Sequence, residues 1–263
     1  MLKAAFFTLV SLPVYACLYL ETAILVLTAY ILGLFGWKKA VRILTLLWTR
    51  LVLWILMQNI KVYGKENIVT NRRVMILANH SSGFDINAIM SIFPDISWFG
   101  REKLLKIPVF GQFLRMLNYI PMKDAGYKNT KNMISQLVEK STVLNIAIFP
   151  EGTRTLNGNL SRFHKGFVHI LRQTDIDILP VTLNGFFQLK PKTRFYIDFS
   201  SRVSVTVHPL IPKASLTDKT DDEIILLVRN TILSAYEAGE IPLSTLTTDK
   251  QKVESNLQTD YNQ

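Results

Sequence analysis

A histidine and an aspartate at close spacing form the first group in this sequence that could do chemistry. They are His80 and Asp85, in the segment NHSSGFD at residues 79–85. A general base must be held in the correct tautomer. An aspartate that accepts from one ring nitrogen does this and leaves the other nitrogen free to take a proton. The small residues between the two let the chain turn back. The same spacing also fits a structural helix cap, so both interpretations stay open.

Other chemistries for this segment find less support in the sequence. Ser81 and Ser82 do not lie in a G-x-S-x-G elbow, and the chain contains no such elbow, so we interpret them as turn residues. His80 and Asp85 have no third ligand at a recognisable metal-binding spacing. The sequence also has no Walker loop and no dinucleotide fingerprint. We therefore expect no metal ion, and no nucleotide cofactor bound through these motifs.

A second candidate group is FPEGTR, residues 149–154, which follows an apolar run. Gly152 permits a tight turn and a close approach of the backbone to a ligand. Arg154 offers a planar fork of donors that suits a phosphate, and Glu151 is placed to orient a hydroxyl or to hold that arginine. With Thr153, these residues form a compact candidate binding turn. The alternative is an ordinary polar turn with a surface salt bridge.

Residues 99–124, FGREKLLKIPVFGQFLRMLNYIPMKD, place basic side chains among apolar ones. Such a stretch suits the surface of a soluble protein. It also suits a pocket for an anionic lipid, in which cations meet the head group and apolar walls meet the acyl chain. The basic residues are Arg101, Lys103, Lys106, Arg115 and Lys123.

The elements that would position these groups alternate along the chain. Short apolar runs predict strands, two of which end immediately before the candidate groups, and helical patterns lie between them. This alternation predicts an α/β layered domain with a mostly β central sheet flanked by helices. The predicted strands lie at residues 73–79, 144–149, 175–184, 194–201 and 202–212, and the predicted helices at 86–93, 130–140, 166–173 and 221–238.

The N-terminal part of the chain differs from the rest. Between Ala4 and Phe35 the only charged residue is Glu21, which makes this stretch long enough to span a bilayer as a helix. A second, shorter apolar stretch at residues 43–58 has the size of an interfacial segment. We predict a membrane-associating helical hairpin at residues 1–60; the alternative is a pair of buried core helices. Residues 61–242 would be the main domain, and 243–263 a disordered polar tail.

Charge is distributed unevenly along the chain. The net charge is +10, but residues 218–263 carry nine acids and four bases, whereas the first 217 residues carry 26 bases and 11 acids. A basic body next to an apolar anchor fits an anionic membrane surface better than a nucleic acid, because no nucleic-acid-binding module is recognisable. The single cysteine, Cys17, excludes an intrachain disulfide.

Four sequence blocks in order resemble the membrane-bound glycerolipid acyltransferases typified by 1-acylglycerol-3-phosphate acyltransferase. The resemblance covers roughly residues 61–216. One departure is Lys123, preceded by Asn118, where the family often has an arginine preceded by a glycine. The blocks are NH-x4-D at Asn79, His80 and Asp85; a basic residue before L-x-x-x-P-x-x-G at Arg101, Leu104, Pro108 and Gly111; FPEGTR, followed by RFHKG at residues 162–166; and an apolar residue before Pro180.

The resemblance implies that the nucleophile is the substrate hydroxyl. His80 would remove the proton from the free sn-2 hydroxyl of lysophosphatidic acid, and Asp85 would orient His80. The donor would be acyl-CoA or acyl-carrier protein, with no other cofactor. The enzyme would work on the cytosolic face of a membrane, the inner membrane in a bacterium. The residues implied in acceptor binding are Arg101, Lys123, Glu151, Gly152, Thr153 and Arg154.

Two other functions stay open at this point. One is the same chemistry on another lysophospholipid or on a lyso-aminolipid. The other is a non-catalytic lipid-binding protein at the membrane surface, against which the intact histidine–aspartate pair argues.

Overall fold

The structure is a computed structural model that describes residues 2–93, 95–107, 111, 114–115, 119–122 and 135–238. Residues 135–141 are helical, and three short 3-10 helices lie at Lys65–Asn67, Glu102–Lys106 and Lys213–Leu216. The α-helices are α1 (Leu2–Leu34), α2 (Lys38–Ile55), α3 (Asp85–Ile92), α4 (Gly166–Gln173), α5 (Phe186–Leu189) and α6 (Asp221–Leu233). The strands are β1 (Lys61–Tyr63), β2 (Val74–Ala78), β3 (Ile96–Arg101), β4 (Ile120–Met122), β5 (Asn145–Ile148), β6 (Asp177–Asn184) and β7 (Ser204–Val207).

The strands form one sheet in the order β1-β7-β6-β2-β5-β3-β4. Every neighbouring pair is parallel except β6 and β7, which are antiparallel. In the centre, Leu77 of β2 pairs with Ile148 of β5 on one side and with Pro180 of β6 on the other. Since β2 and β5 are parallel neighbours, their carboxyl ends meet at one edge of the sheet. This register brings the two motifs that follow these strands together.

Both faces of the sheet are covered, as the predicted α/β layers require. Along β2, Ile76 packs on the face covered by α2, α3 and α5, and Leu77 packs on the opposite face against α4 and α6. Because successive strand residues point to opposite faces, a strand buried on both sides is apolar at every position. All five residues of β2 are accordingly buried.

The predicted N-terminal helical hairpin is confirmed as α1 and α2. α1 continues through Pro13 without a break. The two helices pack on one another, and Trp48 of α2 donates from Nε1 to Thr22 Oγ1 of α1 at 3.1 Å. α1 is the one described helix that is long and apolar enough to cross a membrane. The alternative of two buried core helices does not fit, because large apolar side chains on both helices are exposed, among them Leu9, Tyr19, Ile31, Leu47 and Trp54.

One predicted strand is wrong. Residues 194–201 form turns rather than a strand, because their backbone groups bond to side chains of α1. Tyr15 donates to the carbonyl of Phe195 at 2.6 Å, and Ser11 Oγ accepts from the N–H of Ile197 at 2.8 Å. Two backbone groups of this segment are thus bonded to α1 and not to a neighbouring strand.

The last predicted helix is shorter than expected. α6 begins at a capping box formed by Thr220 and Glu223, but it ends at Leu233 rather than at residue 238. Beyond it, Asn184 at the end of β6 donates to the carbonyl of Ala235 at 2.7 Å and accepts from the N–H of Glu237 at 2.9 Å. These two bonds hold the chain against the sheet and divert it from the helix. The predicted tail at 243–263 and the start of the predicted helix at 130–140 lie outside the described residues.

Candidate active site

His80 and Asp85 form a hydrogen-bonded pair just beyond the end of β2. Nδ1 of His80 lies 2.8 Å from Oδ2 of Asp85. Asp85 is fully buried, and His80 keeps 16% of its side chain exposed. Because a carboxylate only accepts hydrogen bonds, Nδ1 carries the proton and Nε2 has the free lone pair. The pair therefore has the tautomer and the access that a general base needs.

Asp85 also shapes the turn that carries His80. Its Oδ2 atom accepts from the backbone N–H groups of Ser81 at 2.6 Å and of Ser82 at 2.8 Å. The chain thus turns back as predicted, and Asp85 begins α3. The capping interpretation and the catalytic interpretation describe one arrangement, since the same oxygen holds both the turn and the imidazole.

Phe149, the last residue before the turn of the second motif, packs flat on the imidazole of His80. The ring centroids are 3.9 Å apart and the planes differ by 7°. The buried indole of Trp98 stacks on Phe149 at 5.4 Å. The hydrogen bond to Asp85 fixes one edge of the imidazole and the Phe149 ring fixes its face, so Nε2 points in one direction.

Glu151 joins the two motifs through their backbones. Its Oε1 atom accepts from the N–H of His80 at 2.7 Å, and Oε2 accepts from the N–H of Ser161 at 2.8 Å. Burial raises the pKa of the Glu151 carboxyl, while these hydrogen bonds and the charge of His80 oppose the rise. In return, the N–H of Thr155 donates to the carbonyl of His80 at 2.9 Å. The predicted contact of Glu151 with substrate stays a prediction.

The turn after β5 is tight. The N–H of Gly152 donates to the carbonyl of Phe149 at 3.0 Å, and Gly152 has φ +68°. This is the left-handed region that glycine enters without steric cost. Gly152 and Thr153 are exposed at the tip of the turn, where their backbone is open to a ligand.

Arg154 lies over the His80 loop. An added methyl group at Gly83 would sit 3.7 Å from Nη1 of Arg154. The arginine is half-buried, and among the described residues no carboxylate lies within salt-bridge distance of it. Within the described part of the chain, the structure therefore places a cation without an ion pair beside the His80 loop. Arg101 ends β3, two strands away from β2, and the predicted Lys123 lies outside the described residues.

The family model described as Acyltransferase matches residues 59–184. That range contains β1 to β6 and every site residue described above. Residues 59–184 are thus similar to the Acyltransferase family.

Three relatives named 1-acyl-sn-glycerol-3-phosphate acyltransferase match this domain and its surroundings. The protein from Cocos nucifera is 34% identical over 141 residues, which cover 52% of this chain and 44% of that protein. The protein from Limnanthes douglasii is 29% identical over 204 residues, covering 74% and 69%. The protein from Borreliella burgdorferi is 29% identical over 202 residues, covering 73% and 77%. The chain thus spans under half the length of the Cocos relative.

A solved structure has the same fold. The crystal structure of the 1-acyl-sn-glycerophosphate acyltransferase PlsC from Thermotoga maritima superposes with a TM-score of 0.73 at 22% sequence identity. The match covers 89% of this chain and 97% of that chain. It confirms the α/β layers preceded by a long apolar helix.

Sequence reasoning missed several residues that shape the candidate site. Asn79 was recognised as part of a motif but without a role. In the structure its side chain donates to the carbonyl of Leu183 at 2.9 Å and accepts from the N–H of Leu183 at 2.7 Å, which ties the His80 loop to β6. Phe149 was recognised as the first residue of the second motif, also without a role. Ser161 and Lys190 carried no local signal, since the fold alone brings them to the site.

Proposed function

We propose that this protein transfers an acyl chain from an acyl thioester to the free sn-2 hydroxyl of lysophosphatidic acid, giving phosphatidic acid. The observation that carries the proposal is the free Nε2 atom of His80, with Nδ1 engaged by a buried carboxylate at 2.8 Å. The names of the relatives support lysophosphatidic acid as the acceptor.

The reaction begins with proton transfer. Nε2 of His80 takes the hydroxyl proton as the oxygen attacks the thioester carbonyl, and the carboxylate of Asp85 stabilises the imidazolium. Collapse of the tetrahedral intermediate breaks the carbon–sulfur bond. The departing thiolate then takes the proton from His80, which restores the neutral base. The products are the acylated lipid and a free thiol, so the reaction needs no cofactor beyond the donor.

The other residues position the acceptor. Arg154 binds the lysolipid phosphate beside the His80 loop, with Arg101 and Lys123 as further cations. The backbone of Gly152 and Thr153 lines the acceptor pocket. The reacting oxygen must lie within hydrogen-bond distance of Nε2. Binding of the phosphate therefore helps catalysis by holding the acceptor hydroxyl in this position. The donor is acyl-CoA or acyl-carrier protein.

Residues 1–60 hold the enzyme on the membrane, with residues 61–242 on the cytosolic side. Two contacts support a hairpin that lies along the domain instead of crossing the bilayer. At one end of α1, Lys3 pairs with Asp198 at 3.2 Å. Further along the hairpin, Arg42 of α2 pairs with Asp95 at 2.7 Å, and the adjacent Val41 packs against Val26 and Ala29 of α1. Since the hairpin touches the domain at both of these points, the exposed apolar face of α1 is left for one leaflet.

Single-cysteine labelling tests this placement. In a Cys17→Ser background, Lys3→Cys and Lys39→Cys lie near the two ends of α1. In sealed vesicles an impermeant reagent should label both from the cytosolic side, as it should the Lys192→Cys control in the domain. Labelling of positions 3 and 39 from opposite sides would support a spanning α1.

An acceptor and donor panel tests the activity. The full chain in detergent–phospholipid micelles is given acyl-CoA or acyl-carrier protein together with lysophosphatidic acid, other lysophospholipids, a lyso-aminolipid or monoacylglycerol. Thiol release and the acylated product are both measured. We expect the highest kcat/KM for lysophosphatidic acid. A higher value for another acceptor would reassign the substrate, and no turnover on any acceptor would contradict the acyltransferase proposal.

A further inference from the structure

Lys190 is attached by its backbone to the His80 loop. It directly follows α5, and its carbonyl accepts from Ser82 Oγ at 2.8 Å. The next residue, Pro191, forms an isolated antiparallel bridge with Ser82. These contacts attach the His80 loop to the backbone at Lys190, which lies 108 residues beyond Ser82.

The Lys190 ammonium group keeps donors available. Its side chain is half-buried, and Nζ donates to the carbonyl of Pro191 at 3.0 Å. An ammonium has three N–H donors, so two remain. No carboxylate lies within salt-bridge distance of Lys190 among the described residues.

Positive charges surround Lys190. Burial lowers the pKa of its ammonium, and the charges of Arg154 and Arg194 lower it further. Arg194 is occupied elsewhere: its guanidinium donates to the carbonyls of Gln188, Leu189 and Tyr196 and covers the Tyr196 ring at 4.4 Å. Arg154 and Lys190 are left as two neighbouring, partly desolvated cations, neither of which forms a salt bridge among the described residues.

Two neighbouring cations such as Arg154 and Lys190 are electrostatically unfavourable unless an anion binds to them. Like charges repel, and partial burial removes some of the water that would screen them. A phosphomonoester carries close to two negative charges at neutral pH and presents three acceptor oxygens. One such group could pair with both cations at once, on the side of the loop that also carries His80.

We propose that Lys190 and Arg154 together bind the phosphate of the acyl acceptor, with Lys190 as the residue that selects a phosphomonoester over a neutral head group. This inference rests on the proposed function for the identity of the acceptor. The phosphates of a coenzyme A donor have the same chemistry, so the experiment must separate the two sources.

The kinetic test compares Lys190→Ala with a matched control, Lys192→Ala, in the full-length enzyme. Lys192 is two residues away and exposed. Because a charge-assisted hydrogen bond corresponds to roughly a 10- to 150-fold change in affinity, Lys190→Ala should raise KM for lysophosphatidic acid at least about 10-fold. Its kcat/KM for monoacylglycerol should hardly change. Lys190→Arg should restore part of the loss, and Lys192→Ala should behave like the wild type.

Two kinetic results would overturn the proposal. Equal losses on lysophosphatidic acid and monoacylglycerol would make Lys190 structural. A raised KM for acyl-CoA, but not for an acyl thioester of N-acetylcysteamine, which has no phosphate, would assign the cations to the donor.

A binding measurement tests the phosphate site independently of acyltransferase activity. Calorimetric titration of the intact protein with glycerol 3-phosphate, a soluble head group, needs no catalysis. We expect weaker binding to Lys190→Ala than to the wild type and unchanged binding to Lys192→Ala. If the wild type binds glycerol 3-phosphate but acylates no lysophosphatidic acid, the proposed function fails and the phosphate site stands. Equal binding to all three proteins would contradict the phosphate site itself.

Discussion

The imidazole of His80 and the phenyl ring of Phe149 lie face to face, with centroids 3.9 Å apart and planes within 7° of parallel. The two residues come from the ends of neighbouring parallel strands, β2 and β5. An aromatic face is electron-rich and attracts a cation. Phe149 fixes the plane of the imidazole, and in the proposed reaction it would face the imidazolium that forms during proton transfer.

Replacing Phe149 by leucine should therefore slow the chemical step. A cation–π contact is worth about 0.5–2 kcal/mol, which corresponds to roughly a 2- to 30-fold fall in kcat. KM for the acceptor should change little, since the head group is bound elsewhere. Phe149→Tyr, which keeps the ring, should recover most of the rate. The measurement is steady-state kinetics of the wild type, Phe149→Leu and Phe149→Tyr. A leucine variant with the kcat of the wild type would show that the ring stack does not contribute to catalysis.

Asp85→Asn should be milder than Asp85→Ala. Two backbone N–H groups point at Oδ2, so the asparagine oxygen should take that place and keep accepting from His80. The asparagine variant loses the negative charge. A hydrogen bond to a charged acceptor is roughly twice as strong as one to a neutral acceptor. We expect about a 10-fold loss of kcat for asparagine and about 10²–10⁴-fold for alanine. Equal losses would indicate that asparagine flips its amide and inverts the tautomer.

The double variant His80→Ala/Asp85→Ala should be little worse than His80→Ala alone, because the two residues act as a unit. Initial rates of the two single variants and the double variant, measured with one acceptor and donor, give this comparison. Losses that add fully in log rate would count against a shared role.

Glu151→Gln should destabilise the fold. Both carboxylate oxygens accept from backbone N–H groups, and a glutamine must turn its own N–H₂ toward one of them. Leaving a buried donor unmatched costs about 1–3 kcal/mol. The measurement is denaturant unfolding in micelles, with the exposed Glu66→Gln as the control. An unchanged unfolding midpoint for Glu151→Gln would show that Glu151 does not hold the two motifs together.

Arg154→Ala should raise KM for lysophosphatidic acid by roughly 10- to 150-fold, the worth of a charge-assisted hydrogen bond. Monoacylglycerol, which lacks the phosphate, should be affected much less. Arg154→Lys should recover part of the loss, because lysine keeps the charge but not the bidentate fork. Arg202→Ala, at an exposed arginine, serves as the control. Equal losses on the two acceptors would mean that Arg154 is structural or serves the donor.

Local sequence predicted the turn at His80 and the strands before both motifs. Their signals are short-range: an apolar run, small turn residues and an aspartate at the right distance. Contacts between the His80 and Glu151 motifs could not be predicted from such short-range signals. The bond from the N–H of His80 to Glu151 joins residues 71 apart and exists because β2 and β5 are neighbours. Strand order is a property of the whole chain, so no local pattern contains it.

The prediction also left out three strands, β1, β3 and β4. β1 and β4 have three residues each, too few to show an alternation of apolar and polar positions. Residues 194–201 have a strand-like composition, but Ser11 and Tyr15 of a distant helix occupy the backbone groups of that segment. Lys190 was missed because its importance depends on Arg154, which only the fold brings close.

Product analysis of His80→Ala tests the central claim most directly. The wild type and the variant are incubated with lysophosphatidic acid and an acyl thioester, and phosphatidic acid and free thiol are quantified together. The account predicts equal amounts of the two products from the wild type. It also predicts a rate about 10²–10⁴-fold lower for the variant, with unchanged affinity for glycerol 3-phosphate. A variant that still forms phosphatidic acid at a rate near that of the wild type would contradict His80 as the base.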